Sequence, residues 1–123
     1  MEMGISVSLE GLDDLKAALE KLKLSDEEKT QIELTGAEVI ADLARDYVPV
    51  DKGDLLDSIE VIEEGGEVFV QAGTDHAAPV EFGTYKMQAQ PYLRPAISVG
   101  KDDAVREMSK ALMEKLDELS TGT

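Results

Sequence analysis

The positions of proline limit where this chain can form helix and sheet. All four prolines of the 123 residues lie between Tyr47 and Ala96. Proline fixes its own φ, lacks an amide donor and disfavours helical geometry at the residue before it, so regular elements tend to end where it occurs. We therefore expect ordered connecting segments within residues 47–96. Ordered loops on a small scaffold usually serve recognition or assembly.

The residues before this stretch have strand and helix periodicity. Ile5, Val7 and Leu9 alternate with small residues, which is typical of a half-buried strand over residues 3–10. Leucines at positions 12, 15, 19 and 22 have helical spacing and predict a short amphipathic helix.

A longer central helix is predicted next. Ser25 followed by Glu28 has the pattern of a capping box, in which each residue satisfies an amide of the other. Pro49 disfavours helix at Val48, so the helix should run from about residue 26 to about 46. Gly36 lies near its middle, where glycine costs about 1 kcal/mol relative to alanine. We expect it to permit close packing against a neighbouring element.

A hairpin is predicted near residues 59–73. Residues 55–64 should begin as a helical turn and continue as a strand. Gly65-Gly66 is a two-residue hairpin signal, and Val68, Val70 and Ala72 alternate on the returning strand. Residues 76–82 predict about one helical turn, and residues 83–91 an exposed loop.

The last element should be a helix over about residues 101–119. Val105, Met108, Leu112, Leu116 and Leu119 form its apolar stripe. Pro95 suits the first position of a helix, Gly100 would interrupt the helix or mark its true start, and residues 120–123 should fray.

The predicted fold is a single α+β domain over residues 1–123. A small antiparallel sheet, made of the N-terminal strand and the hairpin, packs against the central and C-terminal helices.

Composition narrows the class of protein. The net charge is −15, from 27 acidic and 12 basic residues. Phosphate binding needs clustered Lys and Arg, so this charge argues against a DNA- or RNA-binding module. Three explanations of the charge stay open: solubility, repulsion of DNA by the wall of a passage, or a saline environment.

The sequence also lacks the features of disulfide-bonded, secreted and membrane-spanning proteins. The chain has no cysteine, which rules out a disulfide framework and thiolate chemistry. No basic region followed by an apolar run begins the chain, and no apolar stretch approaches the ~20 residues of a membrane span. We expect no signal peptide and no membrane partner.

Catalytic interpretations have little support in the sequence. His76 is the only histidine, and no Gly-x-Ser-x-Gly elbow accompanies it. Asp51, Asp54 and Asp57 are spaced by three and could share a face toward a hard cation, but the EF-hand spacing is absent. We expect no catalytic residue, no metal and no cofactor. The remote alternative is a small hydrolase or cation-dependent enzyme that uses His76 or the three aspartates.

The aromatic residues of the irregular segments allow two interpretations. Phe82 and Tyr92 are next to Gly or Pro and would fill the core beneath the loops. Alternatively, Tyr85 and Tyr92 would anchor a subunit interface, where aromatic residues concentrate. Arg94 would then pair with a carboxylate of a neighbouring subunit, a contact worth about 0–1 kcal/mol at a surface.

Three segments of the chain resemble, in order and approximate spacing, the tail-component family of long-tailed bacteriophages that is named for the tenth gene product of a lambdoid coliphage. We call them the first segment (residues 48–59), the second segment (80–84) and the third segment (90–96). The matching residues are Val48-Pro49-Val50-Asp51, Gly53, Leu55, Ser58-Ile59, Val80-Glu81-Phe82-Gly83-Thr84 and Gln90-Pro91-Tyr92-Leu93-Arg94-Pro95-Ala96. The agreement extends over residues 30–119.

The chain departs from the family pattern at four positions. Lys52 replaces a threonine, Asp54 and Asp57 stand where basic residues are common, and Tyr92 replaces a phenylalanine. A tyrosine keeps the ring packing and adds a hydroxyl that needs a partner. The acidic residues argue against carrying over a basic contact surface.

The resemblance implies a virion structural protein without catalytic activity. Proteins of this kind are similar to tail-completion or neck proteins, which form rings, usually hexameric, at the head-proximal end of the tail. The implied partners are further copies of the chain, the head–tail connector and the tail terminator or tail tube proteins. DNA passes through the ring as cargo, and assembly takes place in the host cytoplasm. A tail terminator that caps the tail tube is the alternative role.

The resemblance and the irregular backbone together give a set of candidate contact residues. They are Val48, Pro49, Asp51, Gly53, Leu55, Ser58, Glu81, Phe82, Gly83, Thr84, Tyr85, Pro91, Tyr92, Leu93, Arg94 and Pro95.

Overall fold

The computed structural model describes residues 4–8 and 24–121, which form three strands and four helices. The strands are β1 (Ile5–Ser8), β2 (Ile59–Glu64) and β3 (Glu67–Ala72), and the helices are α1 (Asp26–Tyr47), α2 (Gly53–Ser58), α3 (Ala77–Phe82) and α4 (Leu93–Thr121). The predicted α+β fold is confirmed. The helix expected over residues 12–22 lies outside the described residues.

The sheet is antiparallel throughout, with β3 between β1 and β2. Ile5 and Ile59 both pair with Ala72, one from each side. Gly65 and Gly66 have φ of 62° and 84°, which a two-residue hairpin turn of the primed type requires and which glycine adopts without strain. The predicted hairpin is therefore confirmed.

Helix α1 has the predicted start and end. The Ser25 hydroxyl accepts from the Glu28 amide at 3.1 Å, and the Glu28 carboxylate accepts from the Ser25 amide at 2.9 Å. At the other end, Val48 is extended (φ −64°, ψ 132°) before Pro49. This is the geometry that a following proline favours.

Two glycines bring α1 and α4 close together, and α1 also packs on β2 and β3. A Cβ at Gly36 would overlap the Met108 side chain on α4, so the expected close packing at Gly36 is confirmed. A Cβ at Gly100 would lie 2.5 Å from Leu43 Cδ1 on α1. Each glycine thus accepts a side chain of the opposite helix.

The start of α4 differs from the sequence prediction. The helix begins at Leu93 and continues without a break through Gly100 to Thr121. Pro95 is therefore its third residue and not its first, a position where no intrahelical amide bond is yet required. Gly100 does not interrupt the helix, because its role is to make room for Leu43.

Candidate functional site

The second and third segments form one unit around the carboxylate of Glu81, which is 1% exposed. Its Oε1 accepts from the amides of Tyr92 and Leu93, both at 2.8 Å. Its Oε2 accepts from the Arg94 amide at 3.1 Å and from Arg94 Nε at 2.7 Å. Arg94 also donates from Nη2 to the backbone carbonyl of Glu81 at 2.7 Å. We call this set of contacts the Glu81 junction.

The Glu81 junction supplies the N-terminal cap of α4. Residues 90–92 are Gln-Pro-Tyr and include no Ser, Thr, Asp or Asn, the residues that usually satisfy the first helical amides. Glu81, eleven residues earlier, does so instead. A carboxylate at this end of a helix is also favoured by the helix dipole. The absence of a local capping residue is the one sequence signal that could have revealed this role.

Ionisation of Glu81 is favoured despite its burial. Burial opposes the charged form, but the amides of Leu93, Tyr92 and Arg94 and the Arg94 guanidinium outweigh it and hold the pKa of Glu81 below its usual value. Arg94 Nε binds the carboxylate of its own chain, and the expected pairing of Arg94 with a neighbouring subunit stays a prediction for the exposed part of its guanidinium.

Tyr92 is a core residue of its own subunit. Its ring is fully buried, and its hydroxyl donates to the Ala77 carbonyl at 2.8 Å. Burial, with the charge of Glu81 adding to it, raises the pKa of Tyr92 well above its ordinary value. The hydroxyl that distinguishes this chain from the phenylalanine of the family pattern thus has a partner. The core interpretation is therefore confirmed for Tyr92, whose buried ring offers no interface anchor, and is wrong for Phe82, which is 59% exposed.

Backbone hydrogen bonds hold the loop between the second and third segments in place. Gly83 has φ 77°, and a Cβ there would lie 2.8 Å from the Ala89 amide nitrogen. The amide of Thr84 donates to the Met87 carbonyl at 2.8 Å, and that of Gln90 donates to the Val80 carbonyl at 2.8 Å. Backbone hydrogen bonds therefore fix the path of this exposed loop.

Four neighbouring side chains point outward from this unit. Phe82 is 59% exposed and Tyr85 is 93% exposed. The Arg94 guanidinium lies 4.8 Å from the centre of the Phe82 ring, and Lys86 Nζ lies 5.4 Å from the centre of the Tyr85 ring. Both separations suit cation–π contacts. We call these four residues the aromatic–cation surface.

The first segment also divides into buried and exposed parts. Leu55 is fully buried. The Ser58 hydroxyl donates to the Leu55 carbonyl at 2.7 Å and accepts from the Gly73 amide at 3.2 Å, which joins α2 to the end of β3. Arg45, which sequence reasoning did not single out, donates to the Ile59 carbonyl at 2.8 Å. Val50 and Asp51, in contrast, are exposed.

The first and third segments both contact the start of α3, the helix that carries most of the second segment. His76 Nε2, just before α3, lies 3.2 Å from the Asp54 carboxylate on α2. The next residue, Ala77, accepts the hydroxyl of Tyr92 from the third segment. The segments are far apart in sequence, so only the folded chain shows these contacts.

The sixteen candidate contact residues fall into three classes of exposure. Val48, Leu55, Glu81, Tyr92 and Leu93 are buried; Pro49, Ser58, Gly83 and Pro95 are half-buried; and Asp51, Gly53, Phe82, Thr84, Tyr85, Pro91 and Arg94 are exposed. The buried side chains position the segments, and contact with a partner stays a prediction for the exposed ones.

The residues considered for catalysis or metal binding lie at the surface of this region. Among residues 4–8 and 24–121, no group of three His, Cys, Asp or Glu side chains is arranged to hold a metal ion. Asp54 faces His76 at the surface, and both side chains are more than half exposed. The same described part of the chain contains no helix long and apolar enough to cross a membrane.

Comparison with known proteins gives one match. A family model described as "Bacteriophage HK97-gp10, putative tail-component" matches residues 13–83, more than half of the chain. The match includes the first segment and ends inside the second, so the third segment lies beyond it. No curated protein and no solved structure matches the chain.

Proposed function

The chain belongs to the HK97-gp10-like family of bacteriophage tail components, and from this premise we propose that it forms a ring at the head-proximal end of the tail. Membership in the family makes it a structural protein of the phage tail and a component of the virion. In the proposed role the ring, of about six copies as the family resemblance implies, joins the tail to the head connector. DNA passes through its centre.

The observation that carries this proposal is the aromatic–cation surface. Phe82 and Tyr85 expose large apolar rings, yet the backbone that holds them is fixed by the Glu81 junction and by Gly83. Exposed aromatic residues and arginine are enriched at protein interfaces relative to the rest of the surface. A surface that is ordered before binding loses little conformational entropy on assembly. Subunit or connector contact is therefore the use that best fits it.

The charge of the chain is compatible with a passage for DNA. At a net charge of −15, each copy repels phosphates at a distance instead of binding them. DNA would move past such a wall without adhering to it. The protein would act by assembly alone, as expected of a tail component. Among the described residues, the three aspartates form no group that could hold a metal ion, and His76 pairs with the exposed carboxylate of Asp54.

The proposal is tested in a phage whose gene for this protein has been deleted. We expect filled heads and separate tails to accumulate, and wild-type protein supplied from a plasmid to restore infectious particles. Cryo-electron microscopy of complemented virions should then place a ring of this protein between connector and tail. A tail terminator would instead be recognised by tails of uncontrolled length in the deletion strain.

Two results would overturn the proposal. One is infectious particles from the deletion strain, and the other is absence of the protein from purified wild-type virions. As a control, complementation with the Glu114→Ala variant should match wild type, since Glu114 is exposed on α4, away from the three segments.

A further inference from the structure

The aromatic–cation surface has a distinct chemical character within an acidic protein. Its two rings are apolar, and each has a cation beside it, Arg94 at Phe82 and Lys86 at Tyr85. Both cations are exposed. The positive charge of Arg94 is offset by Glu81, which leaves Lys86 as the uncompensated charge of the surface. A fitting partner would offer apolar side chains interspersed with carboxylates.

A second region of the described chain groups several exposed hydrophobic side chains with carboxylates, whereas Val99 and Met113 are single exposed hydrophobic residues on α4. At the end of α1 and through α2, the side chains of Tyr47, Val50 and Leu56 are exposed hydrophobic groups. Four exposed aspartates surround them, and a single lysine, Lys52, is half-buried among them. We call this region the acidic turn; its residues are Asp46, Tyr47, Val50, Asp51, Asp54, Leu56 and Asp57.

We propose that the aromatic–cation surface of one copy binds the acidic turn of a second copy. The rings of Phe82 and Tyr85 would cover Val50 and Leu56. Lys86 would meet the carboxylates at the rim. Burial of the rings supplies most of the affinity, and the charges mainly set register and association rate.

Contact between identical surfaces is disfavoured for both regions. Two aromatic–cation surfaces would bring Lys86 toward Lys86, and two acidic turns would bring aspartates together. Like charges at an interface suppress the pairing. The favoured contact therefore joins two different surfaces. In a head-to-tail arrangement, one of each stays free at the ends of every pair. Such a contact closes into a ring when the rotation between copies permits. Reciprocal two-fold pairing of the same surfaces would end at a dimer, so oligomers longer than a dimer distinguish the two arrangements.

This inference deepens the proposed function and rests on it for the ring, but the contact itself can be tested separately. The chain has no cysteine, so cysteines introduced at chosen positions are the only thiols. Lys86→Cys and Asp51→Cys are combined in one chain, both at exposed rim positions. The matched control combines Lys86→Cys with Asp102→Cys, which is exposed on α4.

Each variant is supplied as the only source of the protein in phage-producing cells, and lysates and purified tails are treated with a short bismaleimide. We expect the 86/51 variant to give a ladder of covalent oligomers that ends at the ring number. Either single-cysteine variant and the 86/102 control should remain monomeric. Circular dichroism identical to that of the wild type should confirm that each variant is folded.

Each alternative outcome is informative. Dimers from either single-cysteine variant would show contact between identical surfaces and overturn the inference. Absence of a ladder from the 86/51 variant, with the protein present in tails, would also overturn it and leave the proposed function intact. A ladder from protein that is absent from tails would support the contact and overturn the proposed function.

Discussion

Glu81 and Phe82 are adjacent in sequence, but their side chains occupy opposite environments. Glu81 turns inward, where it caps α4 and is 1% exposed. Phe82 turns outward and is 59% exposed, with Arg94 against its ring. Arg94 belongs to both regions, because its Nε binds Glu81 while its guanidinium carbon lies 4.8 Å from the centre of the Phe82 ring. The Glu81 junction and the aromatic–cation surface are thus the two faces of the same segments.

The difference shows that a family segment does not have one role throughout. The residues that join the segments, Glu81 and Tyr92, belong to the interior of the subunit and determine its stability. Phe82, Tyr85 and Lys86 contribute little to that interior and are available to a partner. Substitutions in the two sets should therefore have separable effects, the first on unfolding of the isolated chain and the second on assembly.

The largest effect on stability is expected from Glu81→Ala. This change leaves three amides at the start of α4 without their acceptor, and an unsatisfied buried amide costs about 1–3 kcal/mol. We expect the free energy of unfolding at pH 7 to fall by about 3 kcal/mol, measured by urea denaturation. The exposed-site control Glu114→Ala should change it by less than about 0.5 kcal/mol. Equal effects of the two changes would show that the junction does not stabilise the chain.

The charge of Glu81 accounts for part of that effect and gives it a pH dependence. Glu81→Gln keeps an acceptor oxygen for the helix amides but loses the charge, so we expect a loss of about 2 kcal/mol at pH 7. The folded pKa of Glu81 lies below its usual value of 4.5. Its ionised form therefore stabilises the fold fully above about pH 4.5, and this contribution is lost as pH falls through the folded pKa.

The comparison of wild type with Glu81→Gln isolates this group from the other carboxylates. The difference between their free energies of unfolding should be constant between pH 6 and 7 and should shrink progressively below about pH 4.5. A difference that grows with acidification would mean that the neutral form of Glu81 is the stabilising one.

Removal of the Tyr92 hydroxyl should have a smaller effect. Tyr92→Phe restores the residue of the family pattern but leaves the buried Ala77 carbonyl without its donor. We expect a loss of about 1 kcal/mol in denaturant unfolding. Tyr85→Phe, which removes an exposed hydroxyl, is the matched control and should be neutral. A Tyr92→Phe variant as stable as wild type would show that the hydrogen bond from Tyr92 to Ala77 does not stabilise the fold.

The smallest effect on stability is expected at the aromatic–cation surface. Tyr85→Ser removes a ring that is 93% exposed, so the free energy of unfolding should change by no more than about 0.5 kcal/mol. Complementation of a deletion phage by this variant should nevertheless yield fewer infectious particles than wild type. A clear loss of stability would show that Tyr85 contributes to the fold, as the residues of the Glu81 junction do. The proposed separation between a stabilising junction and a partner-binding surface would then be wrong.

Much of the fold could be predicted because it depends on neighbouring residues. The capping box at Ser25 and Glu28, the stop before Pro49 and the turn at Gly65-Gly66 each involve a few consecutive positions. Alternation of apolar residues likewise indicated strands β1 and β3. These features follow from backbone sterics and local hydrogen bonding, which the sequence displays directly.

The site was less predictable, because its contacts join residues distant in sequence. The start of α4 at Leu93 depends on a cap from Glu81, and the continuity of that helix through Gly100 depends on Leu43 of α1. Neither partner is visible in a local window. The same reason explains why Tyr92, which resembles an interface aromatic in its sequence context, is instead a core residue.

The sequence by itself determined the elements of this protein, their order and the family segments, since each of these is recorded in local spacing and residue type. Only the tertiary structure decided which side chains of those segments face inward and which face outward. That division depends on how α3, α4 and the loop between them pack together. The physical cause is that burial and capping are satisfied by whichever groups the fold brings within hydrogen-bonding distance, regardless of their separation along the chain.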